Sequence, residues 1–266
     1  MIRILFISLL FIFSKSSTIQ ANNTEPGIHP KQVQTAQKES LLAGIQNKIY
    51  YAFAESLKTH NDSLLTDIGR ELKSLYNKRH QKLVLYWRSY LQFYLSVYYM
   101  KIGNKVAAEK DIDKGVEWLK GMQNKNSEDY ALLAYLQEYQ IQFKGMEAMF
   151  ISREIVKNAE TAIAMDSNNL RAYYVYASND FYTPKEYGGG RSAKKYLLKA
   201  LTLPSQKIRN EYLPSWGKAE SYELLVRLYI KQKQWKLAKK YFQQALKKYP
   251  KNYSIQSLAS YFVKSK

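Results

Sequence analysis

Near the C-terminus, Ala238, Phe242 and Ala245 recur at intervals of four and three residues, with Pro250 five residues further on. Those intervals place the three side chains on one face of an α-helix. Two alanines flanking a phenylalanine fit a second helix lying very close, because small residues let two backbones approach while the ring fills the groove between them. That second helix lies upstream, where Tyr222, Leu225 and Tyr229 share a face and Trp235 opens the return helix. This stretch is therefore constrained to a tight pair of helices.

Helical spacing continues along the chain. Leu41, Leu42, Ile45, Ile49, Phe53 and Leu57 predict a helix over 31–58, and Leu64, Leu65, Ile68, Leu72 and Leu75 predict another over 63–77. A long helix over 80–101 carries Tyr86, Trp87, Tyr90, Phe93, Tyr94, Tyr98 and Tyr99, more aromatics than one apolar stripe holds. Some of them must face a groove, a partner or a neighbouring helix. Gly103-Asn104 ends it, and a companion over 105–120 carries Ala108, Ile112 and Gly115. Ser127-Glu128-Asp129 reads as a capped start with acids in the first turn. That helix leads through a Lys144-Gly145 turn to one bearing Ile155, Ala159 and Ala162, but the register of this pair is ambiguous. Tyr173, Tyr176 and Ala177, then Ala193, Leu197 and Ala200, give a further pair, joined by a stretched turn. A linker over 204–215 holds Pro204 and Pro214, and Ser215 is expected to cap the helix opening at Trp216-Gly217. The predicted pairs are 31–78, 80–121, 127–166, 169–203 and 216–249. A terminal helix over 251–264 would cover the last exposed face.

The pattern Ala238-x3-Phe242-x2-Ala245-x4-Pro250 resembles the second-helix half of a tetratricopeptide repeat, a helix–turn–helix unit of about 34 residues. The resemblance is strongest over 219–252, moderate over 89–122 and 170–207, and weak over 31–78 and 127–169. Tyr182-Thr183-Pro184, then Tyr187-Gly188-Gly189-Gly190, then Pro214-Ser215-Trp216-Gly217 look like exported bacterial members of that family. A similar Gly-Gly turn occurs in helical repeat subunits that accompany some periplasmic solute transporters. The resemblance implies an all-α fold: a right-handed superhelix of about five helical hairpins with a C-terminal capping helix and a concave binding surface. It implies no chemistry. Some members clamp a peptide carboxylate with Lys and Asn at set groove positions. Here those positions hold Tyr90, Phe93, Tyr94 and Val97, then Arg171, Tyr174, Val175 and Ser178, then Glu220, Glu223, Leu224 and Arg227, so that mode is rejected. Tyr90, Phe93, Arg171, Tyr174 and Arg227 are the expected groove contributors; for the aromatics among them the alternative is contact with a neighbouring helix.

The N-terminus has its own character. Met1-Ile2-Arg3 precedes an apolar run from Ile4 to Phe13, and Ala21 ends a polar stretch at a site suited to cleavage. This is the pattern of a secretory signal over 1–21, followed by an unstructured leader over 22–30. The run is about 10 residues against the roughly 20 a membrane span needs. Export to the periplasm or the outside is the expectation, with no integral membrane segment once the signal is removed. Cysteine is absent, so disulfides, a thiol nucleophile and a lipid-bearing cysteine are all excluded. Loss of 1–21 removes Arg3 and Lys15 and no acid, lowering the net charge from +19 to +17. The lysines are spread as a solvated surface without a compact block, which argues against nucleic acid and leaves a weak attraction to anionic surfaces as an open alternative.

Residues suited to chemistry are few. His29, His60 and His80 have no metal-ligand spacing to one another or to acids, and no strand-and-elbow motif frames a serine. No metal, cofactor or catalysis is expected. Gly188-Gly189-Gly190-Arg191 precedes a helix, so its N–H groups and guanidinium form a candidate anion site. The competing account is that the glycines merely let an elongated turn fold back. The function expected is that of an exported adaptor holding a protein or peptide partner of the cell envelope in its groove. The alternative is a solute-binding accessory subunit of a periplasmic transporter.

Overall fold

The computed structural model describes residues 41–263. The signal over 1–21, the leader over 22–30 and the first part of the helix expected from residue 31 lie outside the described residues.

Among the described residues the fold is all-α. Five helix pairs follow one another: α1 (Ile45–Thr59) with α2 (Ser63–Arg79), α3 (Lys82–Lys101) with α4 (Lys105–Gly121), α5 (Ser127–Gln140) with α6 (Ala148–Met165), α7 (Leu170–Tyr182) with α8 (Ala193–Thr202), and α9 (Lys218–Lys231) with α10 (Trp235–Lys248). Members of each pair pack on each other, and the first helix of each pair also touches the first helix of the next. The first helices therefore form one inner layer. Short connections between touching helices make neighbours antiparallel, so the first helices all point the same way.

The second helices repeat one device. Ala108, Ile112 and Gly115 on α4, Ile155, Ala159 and Ala162 on α6, Ala193, Leu197 and Ala200 on α8, and Ala238, Phe242 and Ala245 on α10 are all buried at the same four-and-three spacing. A Cβ on Gly115 would come within 2.9 Å of Leu136 and 3.0 Å of Gln92, so α4 lies as close to α3 and α5 as a bare backbone allows. The closing turns repeat as well. Asn104 N–H donates to Tyr99 O and Gln234 N–H to Tyr229 O, both at 2.8 Å, around left-handed Gly103 and Lys233. This is the six-to-one closure of a helix end.

The pairs are stitched at their other ends. Asn126, not Ser127, caps α5, exchanging hydrogen bonds with Asp129 in a capping box. Ser127 instead donates to Ala162 O at 2.8 Å and accepts from Asn169 Nδ2 at 2.8 Å, tying three helix termini together. Ser215 does not cap α9 either. The Gly217 N–H donates to the Glu220 carboxylate at 2.8 Å, in a left-handed conformation that glycine permits. The predicted single terminal helix is two short ones, α11 (Tyr253–Ser257) and α12 (Ala259–Val263), bent at buried Leu258 so that Phe262 can stack on Phe242 at 4.8 Å.

Candidate functional site

The segment between α8 and α9 shapes the inner face. Gln206 Nε2 donates to the carbonyls of Asn210, Leu213 and Pro214 and holds the segment in a compact loop. The loop reaches back to the start of the stack. Gly44 N–H donates to Glu211 O at 3.1 Å, Ser215 N–H to Gln46 Oε1 at 2.8 Å, and Trp87 Nε1 to Tyr212 O at 2.9 Å. Lys218, buried at the start of α9, caps the end of α8 by donating to the carbonyls of Ala200, Leu201 and Leu203. The loop after the fourth pair thus lies against the start of the first pair and against α3 of the second, and makes the inner face a bowl rather than an open channel.

Trp216 is the floor of that bowl. Its ring stacks on Tyr135 at 4.8 Å and Tyr90 at 6.5 Å, meets Tyr174 edge-on at 6.4 Å, and its Nε1 donates to Tyr86 Oη at 2.9 Å. Arg171 lies 5.9 Å from the ring and pairs through two guanidinium nitrogens with Glu128. Burial disfavours the Arg171 charge, but the Glu128 hydrogen bonds and charge outweigh it and leave its pKa above the usual arginine value. Three expected groove residues are therefore occupied internally: Tyr90, Phe93 and Arg171 are buried, with Phe93 packed on Tyr135 at 4.9 Å and Tyr139 at 5.1 Å. For Tyr90 and Arg171 the physical reason is the loop, which reaches them from a distance in sequence that no local pattern records; for Phe93 it is the neighbouring helix α5, the alternative expected for the aromatics.

Tyr174 and Arg227 lie on the part left open, one helical turn further along the first helices. Beside them stand Tyr94, Glu138, Tyr182 and Glu223. Arg227 is held by Glu223 at 2.8 Å. Glu138 accepts a hydrogen bond from Ser178 Oγ at 2.5 Å and has no ion-pair partner among the described residues. Desolvation by burial lifts its carboxyl to about 7, outweighing the opposing effect of the Ser178 bond. Burial likewise raises Glu220, and desolvation with the neighbouring acids pushes Tyr135 and Tyr174 well above the usual phenol range. Tyr135, Glu138 and Trp216 were not among the expected site residues. Two 3-10 turns, Ile141–Phe143 and Gly145–Glu147, lengthen the α5–α6 connection and hide the register that would have placed the first two.

The Glu138 carboxyl makes stability pH-dependent in a definite sense. Its folded pKa is above its unfolded one, so between about 4.5 and 7 the folded state holds the extra proton. Stability should fall as pH rises through that window, by about 1 to 3 kcal/mol from this group. Denaturant midpoints at pH 5.5 and 8 should differ less in Glu138→Gln than in the parent; an equal difference would remove Glu138 as the cause.

The candidate anion site is filled from within. Asp180 accepts from the N–H groups of Ser192 at 2.9 Å and Ala193 at 2.8 Å, with Arg191 N–H at 3.4 Å, so its carboxylate sits where the anion was expected. Gly188 and Gly190 adopt left-handed backbone, and a Cβ on Gly189 would lie 2.0 Å from Thr183 O. The glycines fold the turn back onto α7, and Asp180 supplies the charge that the α8 N-terminus attracts.

A second concavity, a half-open cleft of about 260 Å³, lies between α2, α3 and α4. Lys73, Arg88, Lys114 and Asp111 line it, and Arg88 is sandwiched over the rings of Trp118 at 4.2 Å and Tyr76 at 5.1 Å. Among the described residues no cluster of three or more His, Asp or Glu could hold a metal, and no helix is long and apolar enough to cross a membrane.

No family model and no curated protein matches the chain. In structure the chain is similar to the HusA haemophore from Porphyromonas gingivalis, over 69% of this chain and 92% of that one, at 17% sequence identity and a TM-score of 0.49.

Proposed function

We propose that this chain is an exported scaffold of the tetratricopeptide type that works by binding, without catalysis, and that it holds a positively charged segment of a partner protein against the open half of its inner face. The observation that carries the reading is Glu138, a half-buried carboxylate with no counter-ion among the described residues, set among Tyr135, Tyr174 and Tyr182. A carboxylate flanked by tyrosine rings suits a lysine or arginine side chain, which gains an ion pair and contact with ring faces together. Glu220 adds a further carboxyl to the same bowl, where Glu223 is balanced by Arg227, in a chain that is basic elsewhere.

Titration with short lysine- and arginine-containing peptides tests this. Affinity should rise with pH through about 7 as Glu138 ionises, and Glu138→Gln should weaken binding by about 1.5–3 kcal/mol without loss of helix content. Equal affinity for acidic and basic peptides, or no effect of Glu138→Gln, would sink the proposal. A second reading, the solute-binding accessory subunit, is favoured by the cleft at Arg88, whose cations and aromatic walls suit a small organic acid. The same titrations run with organic acids separate the two, since Arg88→Ala would abolish that binding and leave peptide binding intact.

A further inference from the structure

The turns that join first to second helix within each pair emerge at one edge of the stack, because touching neighbours run antiparallel. Large apolar side chains stand exposed along that edge: Val106 at 81% after α3, Met146 at 95% and Phe150 at 61% after α5, Tyr187 at 72% after α7, and Trp235 at 42% after α9. Each has an exposed basic residue near it. Lys105 adjoins Val106 and Arg153 lies one turn from Phe150, while Lys185 and Arg191 flank Tyr187 and Lys233 and Lys236 flank Trp235. The exposed acids within these turns are Glu147 and Glu186.

We propose that this edge is a docking surface for a bilayer containing anionic lipid. A protein interface gathers its apolar residues into a contiguous core and is depleted of lysine there. Here the apolar side chains are divided among four turns, each with exposed cations of its own. Adjacent first helices lie roughly 10 Å apart, so the four tips span roughly 30 Å. That arrangement matches the boundary between headgroups and acyl chains: aromatic and apolar tips enter it, and lysine and arginine reach the phosphates at roughly 1 kcal/mol per cation near the surface.

Co-sedimentation of the full chain with vesicles of phosphatidylcholine alone, and with about a third phosphatidylglycerol, tests the assignment. Binding should require the anionic lipid and fall in high salt. Met146→Asp/Phe150→Asp and Lys233→Glu/Lys236→Glu should each weaken it by about tenfold or more, with helix content unchanged because all four side chains are exposed. Tyr51→Asp, an equally exposed change on α1, should leave it intact. Absence of binding to anionic vesicles would overturn the proposal. So would binding that is equal on neutral vesicles and indifferent to these variants, which would lie in the apolar run at residues 4–13. Loss with the lysine variant but not with Met146→Asp/Phe150→Asp would also overturn it, since charge alone would then account for the attraction.

Discussion

Replacing Trp216 with alanine is expected to cost about 3–5 kcal/mol, the upper range for truncating a buried aromatic. The ring stacks on Tyr135 and Tyr90, meets Tyr174, and carries the Tyr86 hydrogen bond. Its removal would leave a hole among four rings from three helices and detach the loop that closes the stack. Urea unfolding should show the loss as a lower midpoint, and the backbone N–H groups at positions 215 and 216, which donate to Gln46 Oε1, should lose amide-exchange protection. Trp216→Phe keeps most of the stacking and drops the Nε1 bond, so it should cost only about 1–2 kcal/mol. If the alanine variant lost less than the phenylalanine one, the ring would not be the floor of the bowl.

Glu128→Ala should cost about 3 kcal/mol, because it strands the buried Arg171 guanidinium. The remaining partners of Arg171 Nη1 are the carbonyls of Ser205 at 3.0 Å and Trp216 at 3.2 Å, which cannot neutralise its charge. Glu128→Ala combined with Arg171→Met should be more stable than Glu128→Ala alone, since the second change removes the unpaired charge and keeps apolar volume against Trp216. A double-mutant cycle measured by denaturant unfolding gives the coupling directly. Strict additivity would mean the pair contributes nothing as a pair.

The buried triads of the second helices could be read from the chain because their signal is local. Ala193, Leu197 and Ala200 lie within two helical turns, and so do Ala238, Phe242 and Ala245. The inner face was legible only in part. The first-helix positions of Tyr174 and Arg227 could be read from the pairing, but that of Glu138 could not, because the lengthened turn after α5 obscures its register. The role of Asp180 as the partner of the α8 N-terminus follows only once the glycine turn has folded back.

The sequence by itself determined that the described chain is helical, where its pairs meet, and which small residues sit at their contacts, since each depends on neighbours no more than two turns away. Tertiary structure alone decided which aromatics are covered and which stay open. That outcome rests on contacts such as Trp216 with Tyr86 and Ser215 with Gln46, between residues 130 and 169 positions apart. Periodicity assigns a side chain to a helix face, but the loop that later lies across that face leaves no trace in the period.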